Sequence, residues 1–377
     1  MSAVSPVRVL HVTEASNAGV GGHIVDLIEN QASYECKVHF LYSPIRVDQF
    51  FQARVRNIPS DVFTLVPMKR MPHWTDFTAA SAIQKCIADR GPFDIIHAHS
   101  TKAGGLCRVG KIRKAAKIVY TPNGMFSLNP TSNLVSRGIV TQAERYLAGH
   151  SHAIIAVSPE EQQHMTSIGI SADRIRMIPN GLRPIQWDTR DRIREELGIS
   201  RKSLVFGFLG RLASQKNPAV LIKAFAGLAD LPAAQLAIVG VGSMEIECRR
   251  LAQELGIADR IYWLGYKTAQ QAMPAFDVFV MPSRYEGMPY VIMEALSLGL
   301  PVIATPVGGT SLTVNHGVNG FVVPVDGVAE TSRAMRTLVD DSVRNKMSDA
   351  SLKKAKEFSV DLMVRRTVEV YREILDG

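Results

Sequence analysis

Residues 281–300 read MPSRYEGMPYVIMEALSLGL, and they show the pattern on which the chain is built. An apolar run stops at Pro282, and apolar residues at helical spacing continue from Val291 until Gly299. This order predicts a strand, a loop and a helix.

Two acids belong to this stretch, Glu286 in the loop and Glu294 within the helical pattern. A glycine directly after Glu286 lets backbone N–H groups face a ligand, and the helix N-terminus behind it favours negative charge. We expect Glu286 to hold sugar hydroxyls and Glu294 to reach a ribose. The alternative is two exposed acids. It is weak for Glu294, which lies in the apolar run VIMEAL, because burying an unpaired carboxylate costs on the order of several kcal/mol.

Length and composition bound the class of protein. A chain of 377 residues with 46% hydrophobic and 21% charged residues indicates a soluble globular protein of two domains. The sequence has no run of eighteen apolar residues and no signal-peptide core, which predicts a cytoplasmic location. The cysteines have no metal-ligand spacing, so we expect them to be reduced, buried and inert. They are Cys36, Cys86, Cys107 and Cys248.

The net charge of +8 is concentrated in the first half of the chain. Residues 1–187 hold 20 Lys and Arg against 13 Asp and Glu, and residues 188–377 hold 23 against 22. Nucleic acid is not the expected partner, because neither zinc-finger spacing nor an aromatic RNA motif accompanies the charge. An anionic lipid surface at the inner face of the plasma membrane, or a phosphate-bearing acceptor, fits at least as well. The densest cations are Lys102, Arg108, Lys111, Arg113, Lys114 and Lys117.

Strand and helix patterns alternate along nearly the whole chain, which predicts an α/β fold. A turn cluster at residues 179–184 is the expected hinge between domains, and residues 359–375 form the last predicted helix. The predicted strands cover residues 7–12, 37–42, part of 59–66, 93–98, 117–121, 153–157, 174–178, 204–209, 235–239, 260–264, 277–281, 301–304 and 320–323.

Three features of the first half carry alternatives. Gly21 and Gly22 close a predicted loop before a helix, which makes either an anion site or a tight turn. His97 and His99 lie on one face of a strand, but no third ligand at suitable spacing follows, so we predict no metal site. The segment 67–77 has Trp and Phe beside Lys and Arg, as an interfacial patch does, although inward packing of Trp74 and Phe77 is favoured.

The second half offers two cations just past a strand. Arg211 and Lys216 follow Gly210, and the next helix starts at Pro218, so both cations can converge on one diphosphate. Two solvated loop cations are the alternative. Residues 240–243 begin like a dinucleotide fingerprint, but Glu245 stands where its third glycine belongs, which disfavours a nicotinamide dehydrogenase.

Together these residues resemble family 4 of the retaining nucleotide-sugar glycosyltransferases, which have the GT-B fold. The likeness covers nearly the whole chain and rests on residues 210–216, 283–294 and 305–309. It implies two facing doubly wound parallel-sheet domains with a cleft between them. Residues 1–184 would be the acceptor side and 185–358 the nucleotide-sugar side, with 359–377 crossing back to the first domain.

The resemblance also implies roles for particular residues. Arg211 and Lys216 would bind the donor diphosphate, Glu286 the transferred sugar and Glu294 the ribose. Asn123 stands where much of the family has a histidine near the donor sugar, which removes a titratable group. The implied catalytic residues are Arg211, Lys216 and Glu286, and the implied donor-binding residues are Gly21, Gly22, Asn123, Gly210, Gly242, Tyr266, Gly287, Met288, Pro289 and Glu294.

The reaction implied is transfer of a sugar from a UDP- or GDP-linked donor, with retained configuration and without a metal or other cofactor. The acceptor would be a lipid-linked or saccharide molecule of cell-surface polysaccharide (exopolysaccharide) synthesis. No residue presents itself as a covalent nucleophile, so front-face substitution within an ion pair is the expected route. A nucleotide-sugar 2-epimerase of the same fold and a non-catalytic sugar-binding protein are the alternatives.

Overall fold

The computed structural model describes residues 5–128 and 133–377. The chain divides into two compact units. Unit 1 is Met1–Gly181 with Val360–Gly377, and unit 2 is Leu182–Ser359. The domain limits predicted from the sequence, after residues 184 and 358, lie within three residues of these divisions. The acceptor and donor roles assigned to the two parts stay predictions.

The strands follow the apolar runs of the sequence closely. They are β1 (Val7–Thr13), β2 (Cys36–Tyr42), β3 (Phe63–Leu65), β4 (Ile95–His99), β5 (Lys117–Thr121), β6 (Ala153–Ala156), β7 (Ile175–Met177), β8 (Leu204–Leu209), β9 (Ala234–Val239), β10 (Ile261–Trp263), β11 (Val278–Met281), β12 (Val302–Ala304) and β13 (Gly320–Val322).

Helices fill most of the segments between the strands. They are α1 (Ala18–Asn30), α2 (Gln49–Val55), α3 (Asp76–Arg90), α4 (Ser100–Cys107), α5 (Leu134–Ala148), α6 (Pro159–Ser167), α7 (Arg190–Leu197), α8 (Pro218–Ala226), α9 (Glu245–Glu254), α10 (Ala269–Ala272), α11 (Tyr290–Ser297), α12 (Thr310–Thr313), α13 (Val328–Thr337), α14 (Asp341–Ala355) and α15 (Val360–Asp376).

The described residues of unit 1 form a seven-stranded parallel sheet in the order β3-β2-β1-β4-β5-β6-β7. Both faces are buried, since Leu10 and Val12 of β1 pack into one apolar cluster and Val9 into another. Helix α15 covers the second face, where Val364 and Tyr371 are fully buried. The last helix therefore belongs to the unit that holds the start of the chain.

The described residues of unit 2 form a six-stranded parallel sheet in the order β10-β9-β8-β11-β12-β13. Along β8, Phe206 and Phe208 face one apolar cluster and Val205 the other, so this sheet is also covered on both sides. Parallel sheets buried in this way read as continuous apolar runs. The predicted α/β class with two doubly wound parallel sheets is confirmed.

One local prediction is wrong. The glycines expected in a loop, Gly21 and Gly22, lie inside helix α1, which begins at Ala18. The N–H of Gly21 already donates to the carbonyl of Asn17 at 3.3 Å. Glycine weakens a helix by about 1 kcal/mol, which favours a loop at these positions, but packing overrides that preference.

Two further features bear on the class of protein. All four cysteines are free and buried, as predicted. Within residues 5–128 and 133–377, none of the helices is both long and apolar enough to span a bilayer.

Candidate functional site

In unit 2 the predicted donor-binding residues follow neighbouring strands of one parallel sheet. Gly210 follows β8, Gly242 follows β9, Tyr266 follows β10 and Glu286 follows β11. The carboxyl ends of parallel strands meet at one edge of a sheet, where ligands bind in open α/β folds. The topology therefore places these four loops side by side.

The predicted catalytic pair Lys216 and Glu286 is in direct contact. Lys216 Nζ lies 2.8 Å from Glu286 Oε1, and the two side chains are only 16% and 9% exposed. Glu286 Oε1 is buried and has this ion pair without a well-aligned hydrogen bond. The contact keeps a cation and an acid together at the point where the diphosphate and the sugar of a donor are expected to meet.

Arg211 is exposed, and Gln215 holds its side chain. Arg211 Nη2 donates to Gln215 Oε1 at 3.1 Å, and Gln215 Nε2 donates to the carbonyl of Tyr285 at 3.1 Å. The backbone N–H of Arg284 donates to the Gln215 carbonyl at 2.8 Å. Gln215 thus ties the Arg211 loop to the Glu286 loop, a role that nothing in the local sequence signals.

A second link runs through Asp326. Its Oδ1 accepts hydrogen bonds at 2.8 Å from both Arg284 Nη2 and Asn217 Nδ2. The hydrogen bond from Arg284 is the main reason that the pKa of Asp326 is lowered. Asn217 is buried and has a positive φ of 54°, so its backbone is held by these contacts just after Lys216. Nothing near Asn217 in the sequence points to Asp326, because Asp326 lies 109 residues further along the chain.

The glycines after β8 and β9 have a packing role. A Cβ on Gly240 would overlap the Gly210 carbonyl oxygen, and one on Gly242 would overlap the carbonyl oxygen of Leu212. Gly210 itself would meet only ordinary contacts, with Phe208 and Lys216 at 3.4 and 3.5 Å. Close backbone approach therefore explains Gly242 without a ligand, and its expected position beside the base stays a prediction.

The turn at residues 305–309 supports the backbone of Glu286 and Gly287. Thr305 Oγ1 donates to the Ser283 carbonyl at 2.5 Å. A Cβ on Gly308 would overlap the carbonyl oxygens of Glu286 and Gly287. Met288 is buried, and Pro289 is the N-cap of α11, so the backbone from Gly287 leads directly into a helix N-terminus.

Glu294 lies on α11 among buried apolar residues. Burial raises its pKa to about 7. Its side chain is half-buried, and among the described residues no cation or hydrogen-bond donor contacts its carboxylate. The sequence predicts a buried acid with a ligand to bind, and the part of the chain that the structure describes gives this acid no protein partner.

Tyr266 is an exposed aromatic residue at the same edge of the sheet. Its side chain is 68% exposed, and the preceding Gly265 has a positive φ of 61°. The Gly265 carbonyl accepts a hydrogen bond from the N–H of Gly240 at 2.7 Å, which connects the loops after β10 and β9. Such a ring offers an apolar face that can stack on a base.

In unit 1, Asn123 lies in a turn at the carboxyl end of β5 and has a φ of 56°, a left-handed conformation that Asn tolerates. Its Nδ2 is buried and has no hydrogen-bond partner among the described residues. Glu161 Oε1 accepts hydrogen bonds at 2.9 Å from the N–H groups of Gly124 and Met125. Glu161, which the sequence analysis missed, therefore shapes the turn, although burial raises its pKa.

The helix start that contains Gly21 and Gly22 follows β1. A Cβ on Gly21 would come within 2.9 Å of the Ser16 backbone, so this glycine permits a close turn. A Cβ on Gly22 would contact nothing within 4 Å. The tight-turn interpretation explains Gly21, and a ligand role for either glycine stays a prediction.

A third histidine, His11, lies beside His97 and His99, although no third ligand follows them in the sequence. Parallel pairing of β1 with β4 places His11 opposite His97, 88 residues before His99 in the chain. The three buried rings offer ligand atoms within 4.8 Å of one another. They are also hydrogen-bonded, because His11 Nδ1 lies 2.9 Å from His99 Nε2 and His97 Nδ1 lies 2.5 Å from the Tyr371 hydroxyl.

Burial keeps these three rings and the ring of His23 neutral, and it makes unit 1 sensitive to acid. Desolvation lowers the pKa of both His11 and His23 from 6.5 to about 4, and lowers that of His97 and His99 further. Between pH 6.5 and 4 the unfolded chain therefore binds more protons than the folded one, so stability rises with pH in this range.

We expect the free energy of unfolding of unit 1 to fall as the pH drops from 6.5 towards 4. A shift from 6.5 to 4 corresponds to roughly 3 kcal/mol for one histidine. Glu161 acts in the opposite sense, because its raised pKa favours the folded state in acid. Urea unfolding followed at pH 7 and pH 4.5 measures the difference, and equal stabilities would contradict the prediction.

The basic stretch of unit 1 is smaller than the sequence predicts. Lys102 pairs with Asp76, and Arg108 is fully buried, pairs with Glu144 at 2.7 Å and lies over the Tyr120 ring. Of the other four cations, Lys111 and Lys114 are exposed, and Arg113 and Lys117 are partly buried.

The aromatic residues before and at the start of α3 also differ from expectation. Trp74 is 71% and Phe77 is 83% exposed, so neither packs inward. The inward packing that the sequence favours is therefore wrong, and the interfacial alternative stays a prediction.

Comparison with known proteins agrees with this geometry. The model for "Glycosyltransferase Family 4" matches residues 18–184, and the model for "Glycosyl transferases group 1" matches residues 189–357. A D-inositol 3-phosphate glycosyltransferase of Catenulispora acidiphila is 30% identical over 76% of this chain and 74% of its own length. An Escherichia coli UDP-Gal:alpha-D-GlcNAc-diphosphoundecaprenol alpha-1,3-galactosyltransferase is 29% identical over 68% and 69%.

Solved structures agree on the fold. The Anabaena protein HepE, solved in complex with UDP, superposes with a TM-score of 0.81 over 97% of this chain and 100% of its own, at 20% identity. Fold and site together define a glycosyltransferase of the GT-B fold. The chain belongs to glycosyltransferase family 4.

Proposed function

We propose that this glycosyltransferase moves a hexose from a UDP- or GDP-linked donor to a lipid-linked or saccharide acceptor, with retention of configuration. The observation that carries the proposal is the contact between Lys216 and Glu286, held beside Arg211 at the carboxyl edge of unit 2. The name of the Escherichia coli relative contains both a UDP-sugar and a diphosphate lipid, which supports these two substrate classes.

The proposed chemistry uses the cations on the leaving group. When the bond between the sugar C1 and the diphosphate breaks, negative charge develops on the diphosphate, and the Arg211 and Lys216 side chains stabilise it. Glu286 then exchanges part of its contact with Lys216 for the sugar hydroxyls. The acceptor hydroxyl attacks C1 from the face that the diphosphate leaves, and its proton passes to the departing phosphate oxygen. This route needs no covalent nucleophile on the protein.

The nucleotide is proposed to lie further along the same edge. The unpaired carboxylate of Glu294 accepts hydrogen bonds from the ribose hydroxyls, and the exposed ring of Tyr266 stacks on the base. Both residues lack a competing protein partner for these groups among the described residues. The neutral charge balance of residues 188–377 leaves the positive charge of the first half for another partner.

A donor screen tests the proposed function. Nucleotide sugars are added singly, and the melting temperature of the protein is measured; a donor at a hundred times its Kd stabilises by roughly 2.7 kcal/mol. The stabilising donor is then incubated with and without saccharide and lipid acceptors, and the anomeric configuration of the product is read by NMR. An altered sugar nucleotide formed from the donor alone would favour the epimerase, and donor binding without any turnover would favour a sugar-binding protein.

We expect full activity in excess chelator, because two side-chain cations are proposed to stabilise the diphosphate. Among the described residues, the histidine cluster His11, His97 and His99 is the group whose ring nitrogens could hold a metal ion. Activity is measured with EDTA and after readdition of Mg²⁺, Mn²⁺ or Zn²⁺. A strict requirement for any of these ions would contradict the prediction.

Peripheral association with an anionic membrane surface at the inner face of the plasma membrane is the second part of the proposal. Near such a surface each cation contributes about 1 kcal/mol, screened by salt. With Lys102 and Arg108 buried, the other four cations of the basic stretch carry this interaction. Exopolysaccharide or other cell-surface glycan synthesis, in which acceptors are lipid-linked, is the process that fits it.

We expect the protein to cosediment with anionic vesicles at low salt and less so as salt rises. The double charge reversal Arg113→Glu with Lys114→Glu should reduce the bound fraction several-fold. The matched control reverses two exposed cations of α14 in unit 2, Lys346→Glu with Lys353→Glu. Binding that ignores both lipid charge and salt would contradict the electrostatic part of the proposal.

A further inference from the structure

Unit 1 contains a groove of about 300 Å³ beside its edge strand β3, hereafter the edge groove. Small-molecule sites begin at about this volume and are mostly apolar. Two of the lining residues, Ile45 and Leu65, are 53% and 56% exposed. The apolar part of the lining consists of Ile45, Leu65, Val66, Pro67, Ala79 and Ala82.

Further exposed apolar side chains adjoin the edge groove in the sequence. Met71, Trp74 and Phe77 are 64%, 71% and 83% exposed, and the neighbouring Thr75 and Thr78 line the groove. Exposed apolar side chains in such number are a feature of sites that interact with another molecule. The segment that lines the groove therefore also holds three exposed apolar side chains.

Positive charge accompanies this segment. Lys69 lines the groove, Arg70 follows it, and both are exposed. Neither forms an ion pair with another described residue, and Lys69 Nζ contacts only the His73 ring, at 3.2 Å. Residues 63–75 contain no acid, and the next one, Asp76, is engaged by Lys102. An apolar groove beside free cations fits a ligand that joins a hydrocarbon chain to a phosphate.

We propose that the edge groove binds the proximal hydrocarbon segment of a lipid phosphate or diphosphate, with Lys69 and Arg70 at its charged group. This inference rests on the proposed function, in which the acceptor is lipid-linked, and it specifies where the lipid lies. The position of the edge groove in unit 1 agrees with binding of the lipid part of an acceptor. The strands β2 and β3 end beside the groove, at the same edge of the sheet at which β5 ends before Asn123. A saccharide would need hydrogen-bonding groups, which the lining supplies only through Lys69, Thr75 and Thr78.

Calorimetric titration of the full chain with dodecyl phosphate, below its micelle concentration, tests the proposal. Butyl phosphate is the probe with a short chain, and inorganic phosphate is the probe without one. Thr78→Trp fills the groove from an exposed position, and Ser81→Trp places the same ring at an exposed position of α3 outside it. Lys69→Glu is compared with Lys85→Glu, which changes an exposed lysine of α3 that does not line the groove.

We expect saturable one-to-one binding of dodecyl phosphate, weakened at least tenfold by Thr78→Trp and several-fold by Lys69→Glu. The Ser81→Trp and Lys85→Glu variants should bind within twofold of the unaltered protein, and butyl phosphate at least tenfold more weakly. Equal binding of butyl and dodecyl phosphate, or unchanged binding by Thr78→Trp, overturns the proposal. So does a dimer that Thr78→Trp dissociates and Ser81→Trp does not, since a second copy would then occupy the groove.

The probe contains neither sugar nor nucleotide, so this result is independent of sugar transfer. Failure of donor binding with intact dodecyl phosphate binding would count against the proposed function alone. Donor binding and transfer to a short-chain acceptor, without any binding of the probe, would count against the edge groove alone.

Discussion

Replacing Arg211 or Lys216 by Ala is expected to lower kcat for sugar transfer by roughly two orders of magnitude, the cost of losing one preformed stabiliser of developing charge. The two variants should differ in stability. Arg211 is exposed, so its removal should leave the unfolding free energy unchanged, whereas Lys216→Ala leaves Glu286 buried without its cation. Steady-state kinetics with the identified donor and urea unfolding measure the two effects separately.

The matched control is Arg250→Ala, which removes an exposed arginine of α9 in the same unit, paired only with Glu254 on its own helix. It should keep full activity. A second comparison is Gln215→Ala, which leaves both cations in place but releases Arg211 from the Tyr285 loop. Near-normal turnover in both Arg211→Ala and Lys216→Ala would remove the diphosphate assignment.

The two acids of the Glu286 loop and helix α11 should separate into two kinds of defect. Glu294→Gln should weaken binding of the free nucleoside diphosphate, because its proposed partner is the ribose. Glu286→Gln should leave that binding intact and impair the sugar-dependent step. Calorimetry with UDP and GDP, followed by kinetics with the sugar nucleotide, distinguishes the two, and equal losses in both variants would contradict the division of roles.

Stability provides an internal control for Glu294. Its folded pKa of about 7 lies above the ordinary value of 4.5, so Glu294 lowers the stability of unit 2 as the pH rises from 4.5 to 7, and the loss is complete above pH 7. Glu294→Gln should therefore raise the unfolding free energy by roughly 1–3 kcal/mol at pH 8 and leave it unchanged at pH 4. A variant that is more stable but binds nucleotide less well cannot owe its defect to unfolding. Glu254→Gln, an exposed acid of α9, should change neither property.

Much of the fold follows from local patterns. Strands β5 and β8 cover the residues predicted for them, 117–121 and 204–209, and Ser158 caps α6 with Pro159 at its first position, a common start of a helix. The α/β class and two parallel sheets follow from the alternation of such runs with helical spacing. These features depend on residues within one element, so a single sequence contains the necessary information.

The sequence also predicted the residues that carry the proposed chemistry, Arg211, Lys216, Glu286 and Glu294, because each follows a strand or interrupts an apolar helix. It could not predict that Lys216 and Glu286 touch. That contact depends on β8 and β11 being neighbours in the sheet, a pairing between segments about seventy residues apart that no local pattern records.

Only the tertiary structure decided the partners of the remaining polar groups. His11 joins His97 and His99 because β1 pairs with β4, and Asp326 holds Asn217 across 109 residues and Arg284 across 42. The same folding buried Arg108 on Glu144 and left Trp74 and Phe77 in solvent, against the sequence-based expectation. Local sequence determines which face of an element is apolar. Chain topology determines which other element covers that face and whether any does.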